Sequence, residues 1–119
     1  MKSNCSHLFS VMKKRKEFVR MSHAADKVVT KSFVMQYIPR EDTEICVGYT
    51  ASKKVGGAVQ RGRAKRRLRA LVDQHIRLNA GSSFPCGYDL VFIARHSIVR
   101  REFSKIGKDF EMAISGLKG

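Results

Sequence analysis

The 119-residue chain reads as a compact two-layer α/β sandwich, on three observations. Two segments of period-two alternation, Ser32–Ile38 and Ile45–Ser52, stand close together. A long helical pattern follows over Ala58–Leu78. After it comes the largely apolar run Tyr88–Ala94, then a second helical pattern. Strands that precede and follow a helix of this length fit one sheet with helices packed on it. Such an order permits a parallel pair, whose generic crossover is right-handed. The length suits one core rather than two, so residues 1–119 form a single domain, with residues 1–7 expected as a flexible N-terminal segment.

The elements follow in order. A helix is expected from about Leu8 to Met21, although its apolar spacing is irregular, with Phe18 six residues beyond Met12. Lys27–Thr30 adds a short edge strand. In Ser32–Ile38, Phe33, Met35 and Tyr37 oppose Val34, Gln36 and Ile38, and parity alone leaves open which face is exposed. Pro39 and the acidic segment Arg40–Glu44 end that strand. Ile45, Val47, Tyr49 and Ala51 then alternate with Cys46, Gly48, Thr50 and Ser52. On a 100° wheel, Ala64, Leu68, Leu71, Val72, His75 and Leu78 gather on one side of the long helix. Arg61, Lys65 and Arg69 run along one flank, while Arg63 and Arg66 take other solvent-facing directions. Gly62 weakens this helix by about 1 kcal/mol relative to Ala, which packing must offset. Asn79–Gly87 is the clearest loop. The last helical pattern begins near Arg100 and repeats Phe103, Ile106, Phe110, Ala113, Ile114 and Leu117; Gly107 interrupts it, and Gly116 or Gly119 marks its end.

Charge narrows the function. Lys and Arg number 24 against 10 Asp and Glu, a formal net charge of +14, while 43% of the residues are apolar. That is too much core material for a disordered tail, and no stretch approaches the roughly 18 apolar residues of a membrane span. A strongly basic folded domain attracts polyanions, and the clustering of its charge favours nucleic acid. The first cluster is Lys13, Lys14, Arg15, Lys16 and Arg20. The second opens at Lys53 and Lys54 and continues through Arg61, Arg63, Lys65, Arg66, Arg67 and Arg69 with no acid before Asp73. Adjacent cations without counter-charges are costly unless something anionic answers them. Lys53, Lys54, Arg61, Arg63, Lys65, Arg66 and Arg69 are therefore the candidate RNA contacts, arginine gripping phosphate through its planar fork. Their several directions allow two nucleic-acid surfaces or one ligand wrapping the helix. Phe18, Phe33, Tyr37 and Tyr49 are candidate stacking platforms for an unpaired base, with core packing as the competing role.

Protein-borne catalysis has little support. Cys5, Cys46 and Cys86 form no CxxC, and no Cys/His quartet or HExxH is present, so no metal ligand is assigned and reducing surroundings fit best. GxGxxG and the G-x-x-x-x-G-K-[ST] loop are both missing, which argues against an organic nucleotide cofactor. No triad or paired carboxylate has a site context. Asp89 either helps hold a metal ion or simply terminates a strand. The N-terminal segment lacks the apolar core of a signal peptide, and a cytoplasmic address is the expectation.

These residues together resemble the protein component of bacterial ribonuclease P, from roughly Phe9 to the final helix. The resemblance centres on VGYTASKKVGGAVQRGRAKRRLRALV (Val47–Val72), with KKRKEF ending at Phe18, SFVMQY from Ser32 and YDLVFIAR from Tyr88. Arg61 and Arg63 match the family's R-N-R, and Lys65, Arg66 and Arg69 match the x-K-R-x-x-R that follows. Gly62 stands in place of the central Asn, and Gly57 in place of the Asn of G-N-A-V, each removing an amide side chain. The resemblance implies a sandwich with a left-handed βαβ crossover and a catalytic RNA as partner. It implies hydrolytic removal of the 5′ leader from precursor tRNA, with Mg²⁺ belonging to the RNA-centred reaction. Under it, the basic helix meets the catalytic RNA, Phe18 lines a leader-binding cleft, and Phe33, Tyr37 and Tyr49 belong to the strands of that cleft. No membrane partner is implied, and oligomeric state is left unassigned. A ribosomal or general RNA-binding protein without a processing role is the alternative reading of the same charge pattern.

Overall fold

A computed structural model of the chain describes residues 9–12, 14–24, 26–42, 44–79 and 87–117, and gives the backbone alone for Phe9, Ala24 and residues 75–79. The expected flexible segment 1–7, most of the Asn79–Gly87 loop, Cys5, His7, Cys86 and the side chains of His75 and Leu78 lie outside the described residues.

The elements are β1 (Phe9–Val11), α1 (Arg15–Ala24), β2 (Asp26–Val29), β3 (Phe33–Pro39), β4 (Ile45–Thr50), α2 (Ala58–Asn79), β5 (Tyr88–Ala94), a 3-10 segment (His96–Val99) and α3 (Phe103–Ser115). The strands form one sheet in the order β1-β4-β5-β3-β2. β4 runs parallel to both β1 and β5, whereas β3 is antiparallel to β5 and to β2. The parallel pair β4 and β5 is joined through α2, as the strand–helix–strand order allows.

One expectation fails at the N-terminus. Instead of a helix from Leu8, Phe9–Val11 pairs with Ile45–Val47 as an edge strand. The Met12 N–H then donates to the Val47 carbonyl at 2.7 Å, and the Met12 side chain is buried. Pairing with a strand some 35 residues away overrides a weak local helical pattern. The helix begins at Arg15, where the Glu17 carboxylate accepts from the Lys14 N–H at 3.3 Å, one half of a capping box. The final helix also starts later than expected, at Phe103, with a separate 3-10 turn over His96–Val99 ahead of it.

The two faces of the sheet are covered differently. Phe33 and Met35 of β3, Ile45, Val47 and Tyr49 of β4, and Leu90, Phe92 and Ala94 of β5 face a core closed by α2 and α3. From α2 come Ala64, Leu68, Leu71 and Val72, as the wheel predicts, and from α3 Ile106, Phe110, Ala113 and Ile114. Phe92 packs edge-on against Phe33 and stacks on Phe110, both at 5.4 Å between centroids. Each such side chain stabilises the fold by about 1.5–3 kcal/mol through burial. Among the described residues the opposite face has Met12, Met21 and Val91 as its buried apolar centre, with Phe18, Ile38, Cys46 and Ile93 against them. The short α1 covers part of that face and leaves an open trough beside it.

Candidate nucleic-acid interface

The trough is a cleft of about 540 Å³. Arg15, Phe18, Val19 and Ser22 of α1 form one side, Gln36, Val91 and Ile93 the floor, and Thr50, Tyr49 and Lys65 the side towards α2. Phe18 reaches the sheet because β4 has no side chain beneath it. A Cβ on Gly48 would stand 2.7 Å from Phe18 Cε1 and 2.9 Å from Cζ, inside any permitted carbon contact. Half-buried, the ring keeps part of its surface available to a ligand.

An ionic tie fixes α1 over the sheet. Asp89, with only 8% of its side chain exposed, accepts from Arg20 of α1 through one oxygen and from Arg40 through the other. Arg40 in turn forms paired bonds of 2.8 and 2.9 Å with Asp42. The Arg40 guanidinium, with the backbone N–H of Glu44, holds the Asp42 carboxyl down to about 2, and both acids raise the affinity of Arg40 for its proton. Both oxygens of Asp89 are thus engaged, one of them by the helix that carries Phe18. Burial pushes the Cys46 thiol up, which leaves it a poor nucleophile. Among the described residues no group of three or more His, Cys, Asp and Glu could hold a metal ion.

The basic helix divides its charge by direction. Lys65 borders the cleft, and the Arg69 guanidinium lies 5.3 Å from the Tyr49 ring centroid, so the row Arg61–Lys65–Arg69 runs along the cleft flank. Arg63 and Arg66 are exposed. Lys53 and Lys54 are presented by a turn anchored through buried Val55, whose N–H donates to the Ser52 carbonyl at 3.0 Å. Gly56 closes that turn at φ +143°, a conformation few side chains adopt. Arg67 behaves unlike its neighbours. It donates to the carbonyls of Ile98 at 2.7 Å and Val99 at 3.1 Å, and lies 5.7 Å from the centre of the Phe103 ring. Burial and the nearby Arg63 charge lower its pKa. It clamps α2 to the 3-10 segment.

The aromatic expectations need correction. Phe33 is fully buried on the α2/α3 face, away from the cleft, because it shares parity with Met35 and packs on Phe92 and Phe110. Tyr37 lies on that same face, edge-on to Tyr88 at 6.2 Å. Tyr49 borders the cleft at its α2 side, but the residue is buried, its ring stacked on Phe92 and covered by Arg69. Its burial, aided by the Asp73 charge, raises the phenol pKa above its ordinary value. Of the four aromatics Phe18 lines the cleft and Tyr49 edges it. The floor residues Gln36, Val91 and Ile93, with Arg15 and Ser22, were not anticipated. A signal existed: Gly48 and Gln36 interrupt the apolar character of their strands on the cleft side.

Comparison with known proteins agrees with this geometry. The family described as Ribonuclease P matches residues 9–118. The ribonuclease P protein component of Caulobacter vibrioides is 36% identical over 110 residues, spanning 92% of this chain and 71% of that protein. That of Gluconacetobacter diazotrophicus is 34% identical over 114 residues, spanning 91% and 92%. Among solved structures, the RNase P protein of Staphylococcus aureus superposes with a TM-score of 0.74 at 26% identity, covering 91% of this chain and 94% of that one. The RNase P protein from Thermotoga maritima shares the fold, with a TM-score of 0.75 at 21% identity over 91% and 97% of the two chains. With the sheet order, the half-covered face and the basic helix in place, the family match across nearly the whole chain settles membership: this chain belongs to the ribonuclease P protein family.

Proposed function

We propose that the chain acts as the protein subunit of ribonuclease P, assisting a catalytic RNA in the endonucleolytic removal of the 5′ leader from precursor tRNA. The observation that carries this reading is the adjacency of the Phe18 cleft to the Arg61–Lys65–Arg69 flank of α2. A single strand emerging from a folded RNA needs both elements: a ring on which an unpaired base stacks and cations that follow its backbone. Phe18 serves the leader, with Tyr49 edging the cleft and Gln36 on the floor offering an amide to a base edge. Arg61, Arg63, Lys65, Arg66 and Arg69, with Lys53 and Lys54 at the approach to the helix, meet the catalytic RNA and the backbone of the substrate. Phe33 and Tyr37, expected at the cleft, support it from the core side.

The division of labour follows from what the chain offers. Among the described residues the buried acid Asp89 is already taken up by Arg20 and Arg40. In our reading Mg²⁺ belongs to the RNA, no organic cofactor takes part, and the protein contributes binding and orientation. Holding the leader restricts the motion of the scissile region, which lowers the entropic part of the barrier without a protein nucleophile. No described helix is long and apolar enough to cross a membrane. A cytoplasmic setting, where precursor tRNA is met, accords with this role.

Reconstitution with a cognate catalytic RNA tests the reading. The protein should raise precursor-tRNA cleavage at low Mg²⁺ and favour leader-bearing over leaderless tRNA. Absence of stimulation with a correctly folded RNA would reject it, and stable recovery with ribosomal subunits instead would favour a general RNA-binding role.

A further inference from the structure

The flank of α2 that faces away from the cleft borders a second and larger groove, of about 720 Å³. Gly57 and Gln60, at the start of α2, form one wall. His96, Arg100, Arg101 and Lys105, from the 3-10 segment and the first turns of α3, form the other. Arg100 and Lys105 are exposed, and among the described residues neither is paired with a carboxylate. Arg101 is held back by Asp109 at 3.4 Å, and Glu102 is the one acid in the lining. The groove therefore presents an excess of positive charge that the protein itself does not answer.

Two further features make it a built surface. The Arg67 bonds to the Ile98 and Val99 carbonyls tie one wall to the helix that carries the other, so the separation of the walls is fixed before any ligand arrives. Arg63, exposed and four residues before Arg67 on α2, shares this flank and extends the positive field from the groove along the helix. The amide of Gln60 opposite the cations can both donate and accept, as a ribose hydroxyl requires.

We infer that this groove is a second RNA site, which takes a phosphodiester segment of the structured RNA partner while the cleft holds the single-stranded leader. Arg100 and Lys105 contact its phosphates, and α2 lies between the two RNA segments. The inference rests on the proposed function above and adds a surface that the basic helix alone does not supply.

The test uses the full chain carrying Arg100→Gln and Lys105→Gln together, both at exposed positions, with the fold checked by urea unfolding. Affinity for the catalytic RNA is measured from 50 to 200 mM salt, and leader discrimination in the assembled holoenzyme as the ratio of precursor to leaderless tRNA affinity. Losing two phosphate contacts should lower the log–log salt slope by roughly 1.4–1.8, making the loss of affinity across that range roughly tenfold smaller. Affinity at 150 mM should fall about tenfold, with leader discrimination unchanged. Unaltered affinity and slope would overturn the inference. So would a variant that loses leader discrimination while keeping its affinity for the catalytic RNA, or one that loses only binding to vesicles of anionic phospholipid. Wild-type protein that stimulates cleavage beside an unaltered variant defeats the groove alone; wild-type protein that neither binds nor stimulates the catalytic RNA defeats the proposed function and the groove with it.

Discussion

Replacing Gly48 with Ala tests how the cleft is built. The added Cβ would lie 2.7 Å from Phe18 Cε1, 2.9 Å from Cζ and 3.2 Å from Met12 Cβ. Carbon atoms pack best at about 3.5–4.0 Å, so the ring must retreat by about 1 Å. Met12 is buried and its N–H is bonded to Val47, whereas Phe18 is half-buried beside the open cleft, so the ring yields first. Because the ring can move outward, the stability cost should sit near the low end of overpacking, about 1 kcal/mol. The larger effect falls on the leader. Stacking of a base on an aromatic ring contributes about 1–3 kcal/mol, and a displaced ring forfeits about 1–2 kcal/mol of it, roughly 5- to 30-fold in affinity. The assay is binding of precursor tRNA and of leaderless tRNA to reconstituted holoenzyme, for Gly48→Ala, Phe18→Ala and the double variant. Leader affinity should fall in both single variants while leaderless affinity holds. In the Phe18→Ala background, Gly48→Ala should cost almost nothing further, because the two act through one ring. Equal losses in the presence and absence of Phe18, or equal losses for leaderless tRNA, would refute the reasoning.

Four further perturbations separate structure from binding. Arg67→Ala removes two bonds to the 3-10 carbonyls and the stacking on Phe103, and should destabilise the fold by about 1–3 kcal/mol in urea unfolding. Arg66→Ala, at an exposed position, should leave stability within about 0.5 kcal/mol yet lower the salt slope of RNA binding by about 1. Gly62→Ala should stabilise α2 by about 1 kcal/mol, since the nearest atom to the new Cβ, at 3.3 Å, is the mobile end of Arg66; a drop in melting temperature would contradict this. Asp42, lowered from 3.8 to about 2 by Arg40, contributes stability that is complete above the unfolded value and fades as pH falls from about 4 towards 2. Asp42→Asn should therefore flatten stability against pH in that acid window, and an unchanged profile there would show that the ion pair carries no net stability.

What could be read from the sequence depended on how local its cause was. The buried stripe Ala64, Leu68, Leu71 and Val72 was legible because a single helix pattern decides it, whatever packs on it. The pairing of Phe9–Val11 with β4 was not, because its stabilising partner lies far along the chain. Parity in β3 was read correctly, yet parity does not say which face a helix will cover fully. α2 and α3 together close the Phe33 face, while the ten residues of α1 leave the Gln36 face half open. The cleft is thus a consequence of unequal cover, and its floor is made by the residues opposite the best core positions rather than by the aromatics of β3. Charge follows the same logic. The +14 total points to a polyanion, but the azimuth of each cation is set by the core stripe and by Arg67, whose role emerges only when the 3-10 carbonyls come within reach. With α2 locked in rotation, Lys65 and Arg69 are held on the cleft flank, and Arg63 is held one turn from Arg67 on the other. A helix free to roll would present one averaged positive surface; a clamped helix presents two distinct ones. Loosening the clamp should therefore weaken leader binding and catalytic-RNA binding together, even though Arg67 itself touches the protein and not the cleft.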